Sequence, residues 1–268
     1  MKSVIKIIKE QIESFYLIQR LAIFELKSTN NMNYLGLLWE VINPMIQIGI
    51  FWFVFGYGIR EGKAVGDTPF LPWMLAGITV WFFANPAILQ GTKSIHRRIK
   101  IIAKMNFPMS AIPSYVITAK LYQHFVLLGI IIVILHFFGY YVSIYYIQLP
   151  YYIFALFTLL FSITLISSTL ATIVRDVQML IQAFMRMLLY LTPLLWSPDT
   201  LPNMIQQLMK LNPLYYIVEG YRASLLGDSW YFIEHPEYTL YFWAVVFISL
   251  FIGSRLHLKF RHRFIDFL

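Results

Sequence analysis

The sequence predicts an all-α polytopic membrane protein with six transmembrane helices and both termini on the cytoplasmic side. Three observations carry that prediction. The 268 residues are 59% hydrophobic and only 13% charged, where a soluble domain carries about 25% charged residues. Six apolar runs, 35–59, 70–92, 115–138, 150–174, 177–197 and 238–258, approach or exceed the roughly 20 residues that cross a hydrocarbon core about 30 Å thick. Lys and Arg also alternate in density from loop to loop. With the N-terminus inside, fifteen of the 21 fall on cytoplasmic segments and four (Arg60, Lys63, Lys210, Arg222) fall outside, beside seven acids. The opposite orientation inverts that bias. The net charge of +8 is therefore mostly a topology signal. It calls for no nucleic-acid partner and is compatible with an acidic lipid or anionic substrate.

The first 30 residues carry eight charges, from Lys2 to Lys27, which break up any core of signal-peptide type. Residues 4–26 place Ile5, Ile8, Ile12, Phe15, Ile18 and Ala22 at helical spacing between those charges. The pattern fits a helix lying along the cytoplasmic membrane surface, or a soluble helix packed on a partner. Asn43-Pro44 and Asn85-Pro86 lie inside the first and second spans, where proline removes a backbone donor and favours a kink. Between the second and third spans, "KSIHRRIKIIAKMNFPMS" (93–110) sets Ile95, Ile99 and Ile102 against Lys93, Arg97, Arg98, Lys100 and Lys104. That reads as a short amphipathic cytoplasmic helix bracketed by Gly91 and Pro108, a surface on which another subunit can dock. Lys120, Gln123 and His124 share a face at the start of the third span, and Lys120 can snorkel. The fourth span carries Thr158, Ser162, Thr164, Ser167, Ser168, Thr169 and Thr172, residues that let membrane helices approach closely. Arg175-Asp176 forms the inner turn before the fifth span, either solvated or docked on a partner.

Arg186 stands about nine residues into the fifth span, where an arginine is unfavourable by about 2.5–3.5 kcal/mol. Gln178 and Gln182 precede it at four-residue steps and Tyr190 continues the same face. Such a stripe is expected to face protein or a water-filled passage, or else Arg186 snorkels to the cytoplasmic edge. Glu40, near the inner end of the first span, is a candidate counter-charge. The stretch "KLNPLYYIVEGYRASLLG" (210–227) places Glu219 and Arg222 in an apolar run whose uncharged part, 211–218, is too short to cross a bilayer.

Nothing in the chain reads as a catalytic site. The sequence holds no G-x-x-x-x-G-K-[ST] phosphate loop, H-E-x-x-H or G-x-S-x-G. It has no cysteine for a disulfide or a thiolate metal site. No internal repeat divides it, so residues 1–268 read as one membrane domain. If the protein works against a gradient, its energy source is on another chain.

"NYLGLLWEVINPMIQ" (33–47), "KMNFPMSAIPSYVITAK" (104–120) and "LNPLYYIVEGYRASLL" (211–226) together resemble the permease subunits of ABC-2 type exporters. "YLGLLWEVINP" narrows the resemblance to polysaccharide and teichoic acid exporters. Many of these carry an arginine-aspartate and a basic-aromatic pair before that segment. This chain has "RLAIFELKSTNNMN" instead, which fits the wall teichoic acid branch better than the O-antigen branch. The resemblance implies a permease homodimer in the cytoplasmic membrane of a bacterium, bound to two cytoplasmic ATPase subunits that hold ATP and Mg. It implies no cofactor in this chain and an undecaprenyl-diphosphate-linked polymer as cargo. It makes 93–110 a coupling helix and 4–26 an interfacial helix beside the lipid entrance. It makes 200–228 an external segment folded back as re-entrant helices, with Pro213 at the turn and Glu219 one helical turn from Arg222. Exporters of another glycan or a small lipid, and a membrane-embedded transferase on polyprenyl lipids, are the alternatives.

Overall fold

The computed structural model describes residues 1–29, 34–102, 108–262 and 264. It is helical, and its described segments contain no β-sheet, only an isolated bridge from Val65 to Thr68. In chain order the helices are α1 (Lys2–Glu13), α2 (Phe15–Thr29), α3 (Trp39–Phe51), α4 (Phe70–Ile102), α5 (Ala111–Phe137), α6 (Leu149–Ile173), α7 (Val177–Leu191), α8 (Asn203–Met209), α9 (Pro213–Leu226), α10 (Tyr231–Glu234) and α11 (Pro236–Phe260). A stretch of π-helical turns, Trp52–Ile59, extends α3. The apolar runs dictate the packing. Helix α4 sits at the centre, against α5, α6, α7 and α9, while α11 closes the far side of α6.

Among the described residues, five helical stretches are long and apolar enough to cross a membrane: Trp39–Ile59, Phe70–Arg98, Ala111–Phe137, Ile144–Ile173 and Pro236–Phe260. The expected sixth, 177–197, is shorter. Helix α7 has 15 residues, about 22 Å at 1.5 Å per residue. It stops because Pro193 pushes Thr192 into extended backbone, φ −86° and ψ 135°.

Two boundaries differ from expectation. Gly91 does not separate the second span from a cytoplasmic helix, because α4 runs unbroken for 33 residues to Ile102. Gly91 is there for packing. A Cβ at this position would lie 2.7 Å from Thr164 Cγ2, so the missing side chain lets α4 and α6 close on each other. Thr92 and Ser167 then share a hydrogen bond of 2.8 Å across the same contact. The other hydroxyls of α6 mostly turn back to their own helix, as Thr164, Thr169 and Thr172 do toward carbonyls four residues earlier.

The amphipathic stripe of 4–26 is likewise split, by a break at Ser14. In α2, Ile18 and Ala22 are buried in a small core with Ile95, Ile112 and Tyr115. In α1, Ile7 is the buried residue, while Ile5, Ile8 and Ile12 are exposed. Helix α1 thus has a protein face, an exposed apolar face and a face bearing Lys2, Lys6 and Lys9.

Gly220 sits where α9 meets α6. A Cβ there would fall inside the ring of Tyr152, whereas a Cβ at Gly129 would meet nothing within 4 Å. Gly220→Ala is expected to lower stability by about 1–3 kcal/mol, and Gly129→Ala to leave it unchanged or raise it slightly. Thermal unfolding of the two detergent-purified variants checks this. Equal midpoints would mean that α9 does not pack on Tyr152.

Candidate functional site

The 210–227 segment is fixed at both ends and along its length. Asn212 caps α9 by accepting a hydrogen bond from the Leu214 amide (3.0 Å), and Pro213 occupies the first turn, where its missing N–H costs nothing. Gly227 ends the helix in the left-handed region at φ 75°. With 14 residues, α9 is about 21 Å long, too short to span a bilayer, yet it is buried against α4 and α6.

Arg222 is the centre of this arrangement and is 4% exposed. Its Nη1 donates to Glu219 Oε1 at 2.6 Å, one helical turn away. Its Nη2 donates to the Pro193 carbonyl at 2.5 Å and its Nε to the Trp73 carbonyl at 3.3 Å. The guanidinium lies 3.5 Å from the Trp73 ring centroid. A Cβ at Gly77 would come within 2.7 Å of Nη2, so that glycine makes room for the cation. The expected Glu219–Arg222 contact is present. Nothing in the residue pattern points to Trp73, Gly77 or Pro193, because carbonyl acceptors elsewhere in the chain leave no mark in residue type.

Around this clamp lies an aromatic cluster of Tyr151, Tyr152, Tyr216, Tyr231, Tyr238 and Phe242. The Tyr241 hydroxyl donates to the Leu211 carbonyl at 2.8 Å, which ties α11 to the turn before α9. Burial, and after it the charge of Glu219, pushes the Tyr231 phenol up from its ordinary value, so it remains neutral. On the opposite side of α9, Tyr221 shares a hydrogen bond of 2.9 Å with His124 of α5.

The fifth-span stripe lies elsewhere. Gln178 is half-buried, while Gln182, Arg186 and Tyr190 are exposed on the single chain. Among the described residues Arg186 makes no ion pair. Lys120 is 6% exposed, so it is packed inside the protein rather than snorkelling. On α3, Asn43 and Gln47 are exposed one helical turn apart. Helices α7 and the π-helical end of α3 both pack on α4.

The cationic segment is divided as well. Arg97 is exposed and Lys93 half-buried. Arg98 turns inward, where it pairs with Glu25 of α2 and lies 5.2 Å from the Tyr115 ring. The Lys100 side chain and Lys104 lie outside the described residues. Arg175 and Asp176 are exposed at the turn between α6 and α7. Beside α1 and α2, an apolar groove of about 610 Å³ runs along α5 and α6 past Phe125, Phe154, Phe157 and Phe161.

Replacing Arg222 with Ala removes every bond that joins Glu219, Pro193 and Trp73. A loss of about 3 kcal/mol or more is expected, with a smaller loss for Glu219→Gln because Glu219 is partly exposed. Arg222→Lys keeps the charge but cannot reach three acceptors in one plane, so its midpoint should fall between wild type and Arg222→Ala. A fluorescence or calorimetric melt in detergent orders the three. An Arg222→Ala protein as stable as wild type would remove Arg222 as the clamp.

Two known permeases are similar along most of the chain. The O-antigen export system permease protein RfbA of Klebsiella pneumoniae is 23% identical over 245 residues, 91% of this chain and 92% of its own length. Its namesake in Myxococcus xanthus is 22% identical over 221 residues, 82% of this chain and 84% of its own length. The ABC-2 type transporter family description matches residues 16–226, a range that takes in α2, the central helix α4 and the Arg222 clamp. On that match the chain belongs to the ABC-2 type transporter family.

Proposed function

We propose that the chain is the permease subunit of an exporter of polyprenyl-diphosphate-linked polysaccharide, with wall teichoic acid as the cargo. Two copies form the passage, and two ABC ATPase subunits dock on the cytoplasmic side and supply the energy from ATP and Mg. The observation that carries this reading is the pair of polar faces on membrane helices, Gln182–Arg186–Tyr190 of α7 and Asn43–Gln47 of α3, exposed on the single chain. Polar groups at that depth belong against protein or water rather than lipid. A second copy facing these helices would turn both stripes toward one shared passage. One chain's helices are too few to surround a glycan.

Arg186 is the candidate contact for the lipid diphosphate, because a guanidinium holds phosphate through two parallel hydrogen bonds. Its lack of an ion pair among the described residues leaves the fork available. The ATPase-docking surface is Lys93, Arg97, Arg175 and Asp176, with Lys100 and Lys104 following Arg97 in sequence. Arg98 is reassigned to holding α2. Both termini are cytoplasmic in this reading. The teichoic acid cargo rests on "YLGLLWEVINP" and "RLAIFELKSTNNMN". The names of the two relatives support a second cargo of O-antigen type.

The test is ATP-driven movement of polyprenyl-linked polymer in vesicles holding the permease and its ATPase. Arg186→Ala is expected to keep the wild-type melting point and lose most export, with Arg186→Lys retaining part of it. A destabilised Arg186→Ala that Glu40→Gln restores, export included, would make Arg186 structural. Transport of an O-antigen polymer in preference to teichoic acid would move the cargo to the second reading. The chain without its partner is expected to bind no ATP, and tight binding by the purified permease would end the division of labour proposed here.

A further inference from the structure

The corner where α1 meets α11 carries a groove of about 440 Å³, walled by Val4 and Ile5 on one side and by Phe247, Ile248 and Phe251 on the other. Ile5, Phe247 and Ile248 are exposed, and the groove is apolar along its length. Its charged surroundings are uneven. Ile5 also borders the face of α1 that bears Lys2, Lys6 and Lys9. One turn beyond Phe251, at the basic end of α11, Arg255 is exposed and holds its guanidinium 4.4 Å from the Phe251 ring centroid.

The neighbouring acids are already engaged. Glu10 accepts from Arg261 at 2.7 Å and from Ser110 at 2.5 Å. Glu13 lies 3.6 Å from Lys9. Lys2, Lys6 and Arg255 have no acidic partner among the described residues. The corner therefore presents an apolar slot bordered by Lys2 and Lys6 on α1, which share the Ile5 wall, and by Arg255 against Phe251 on α11.

We propose that this corner is a binding site for an anionic phospholipid, with one acyl chain in the groove between α1 and α11 and the phosphate among Lys2, Lys6 and Arg255. Charge complementarity selects the occupant. A net negative headgroup neutralises the three cations, whereas a zwitterionic lipid would bring its own ammonium group into a positive corner. Arginine contributes a paired hydrogen bond to phosphate oxygens, and the two lysines, four residues apart on one face of α1, add point charge. The lipid would hold α1 in the plane of the interface from the side that the Glu10–Arg261 pair does not cover. The site rests on the chain being embedded in a membrane and is independent of any cargo or ATPase.

The test is native mass spectrometry of the purified full-length chain, extracted from membranes of mixed phosphatidylglycerol and phosphatidylcholine. Wild type is expected to retain phosphatidylglycerol over phosphatidylcholine by roughly tenfold or more, since each cation near a charged surface contributes about a fivefold factor. The Lys2→Ala/Lys6→Ala/Arg255→Ala variant should lose the preference. Ile248→Trp, which fills the slot with the cations intact, should lose retention of both lipids. All four positions are on the surface, and an unchanged melting point confirms that each variant is folded. Equal retention of the two lipids by wild type, an undiminished preference in the triple variant, or full retention in Ile248→Trp overturns the site. Failure of polymer export leaves these readings untouched.

Discussion

A buried guanidinium is the constraint around which the rest of the structure is arranged. Arg222 is too polar to sit in an apolar interior unless its donors are met. Its partners come from three parts of the chain: Glu219 within α9, the Pro193 carbonyl after α7 and the Trp73 carbonyl in α4. The Pro193 carbonyl is available because α7 has already ended, so the break that shortens the fifth span also supplies an acceptor. A helix too short to cross the bilayer is thereby tied through one side chain to two other parts of the chain. Its backbone is buried in protein, the condition for interrupted helices in a membrane.

The opposite end of the molecule uses the same logic with acids in place of carbonyls. Glu25 takes Arg98, and Glu10 takes Arg261 and Ser110. Each pair ties an amphipathic helix to the end of a long one. Both pairs are more exposed than Arg222, so water screens them and each contributes less. Their role is to set where α1 and α2 lie, while burial of Ile7, Ile18 and Ala22 supplies more of the attachment.

Much of the fold was legible because membrane helices announce themselves by length and hydropathy. The Glu219–Arg222 pair was legible because residues three apart on a helix are neighbours. What escaped was whatever depends on shape between helices. Gly91 read as a boundary because glycine is a poor helix former, yet its reason is a threonine on α6. Arg98 and Arg97 look alike in sequence and face opposite ways, since one helical step of about 100° separates an inward position from an outward one. The pairing of Glu40 with Arg186 was drawn from depth alone. Depth cannot tell which cation shares a side of the bundle with Glu40, and among the described residues Arg186 makes no ion pair. The π-helical turns after Phe51 have no counterpart in composition or periodicity.

The unbroken course of α4 has a mechanical consequence. Trp73, which holds Arg222, and Arg97, exposed at the other end, are on the same rod about 36 Å apart along its axis. A separate cytoplasmic helix would have swivelled on its own joint and dissipated a push. A continuous one acts as a lever: a tilt of about 5° at one end displaces the other by roughly 3 Å at that separation, enough to break a hydrogen bond. Pro86, midway, withdraws one backbone hydrogen bond and is the compliant point of the rod. Any tilt imposed at the Arg97 end would therefore reach the α9 clamp as a sideways displacement, softened at Pro86.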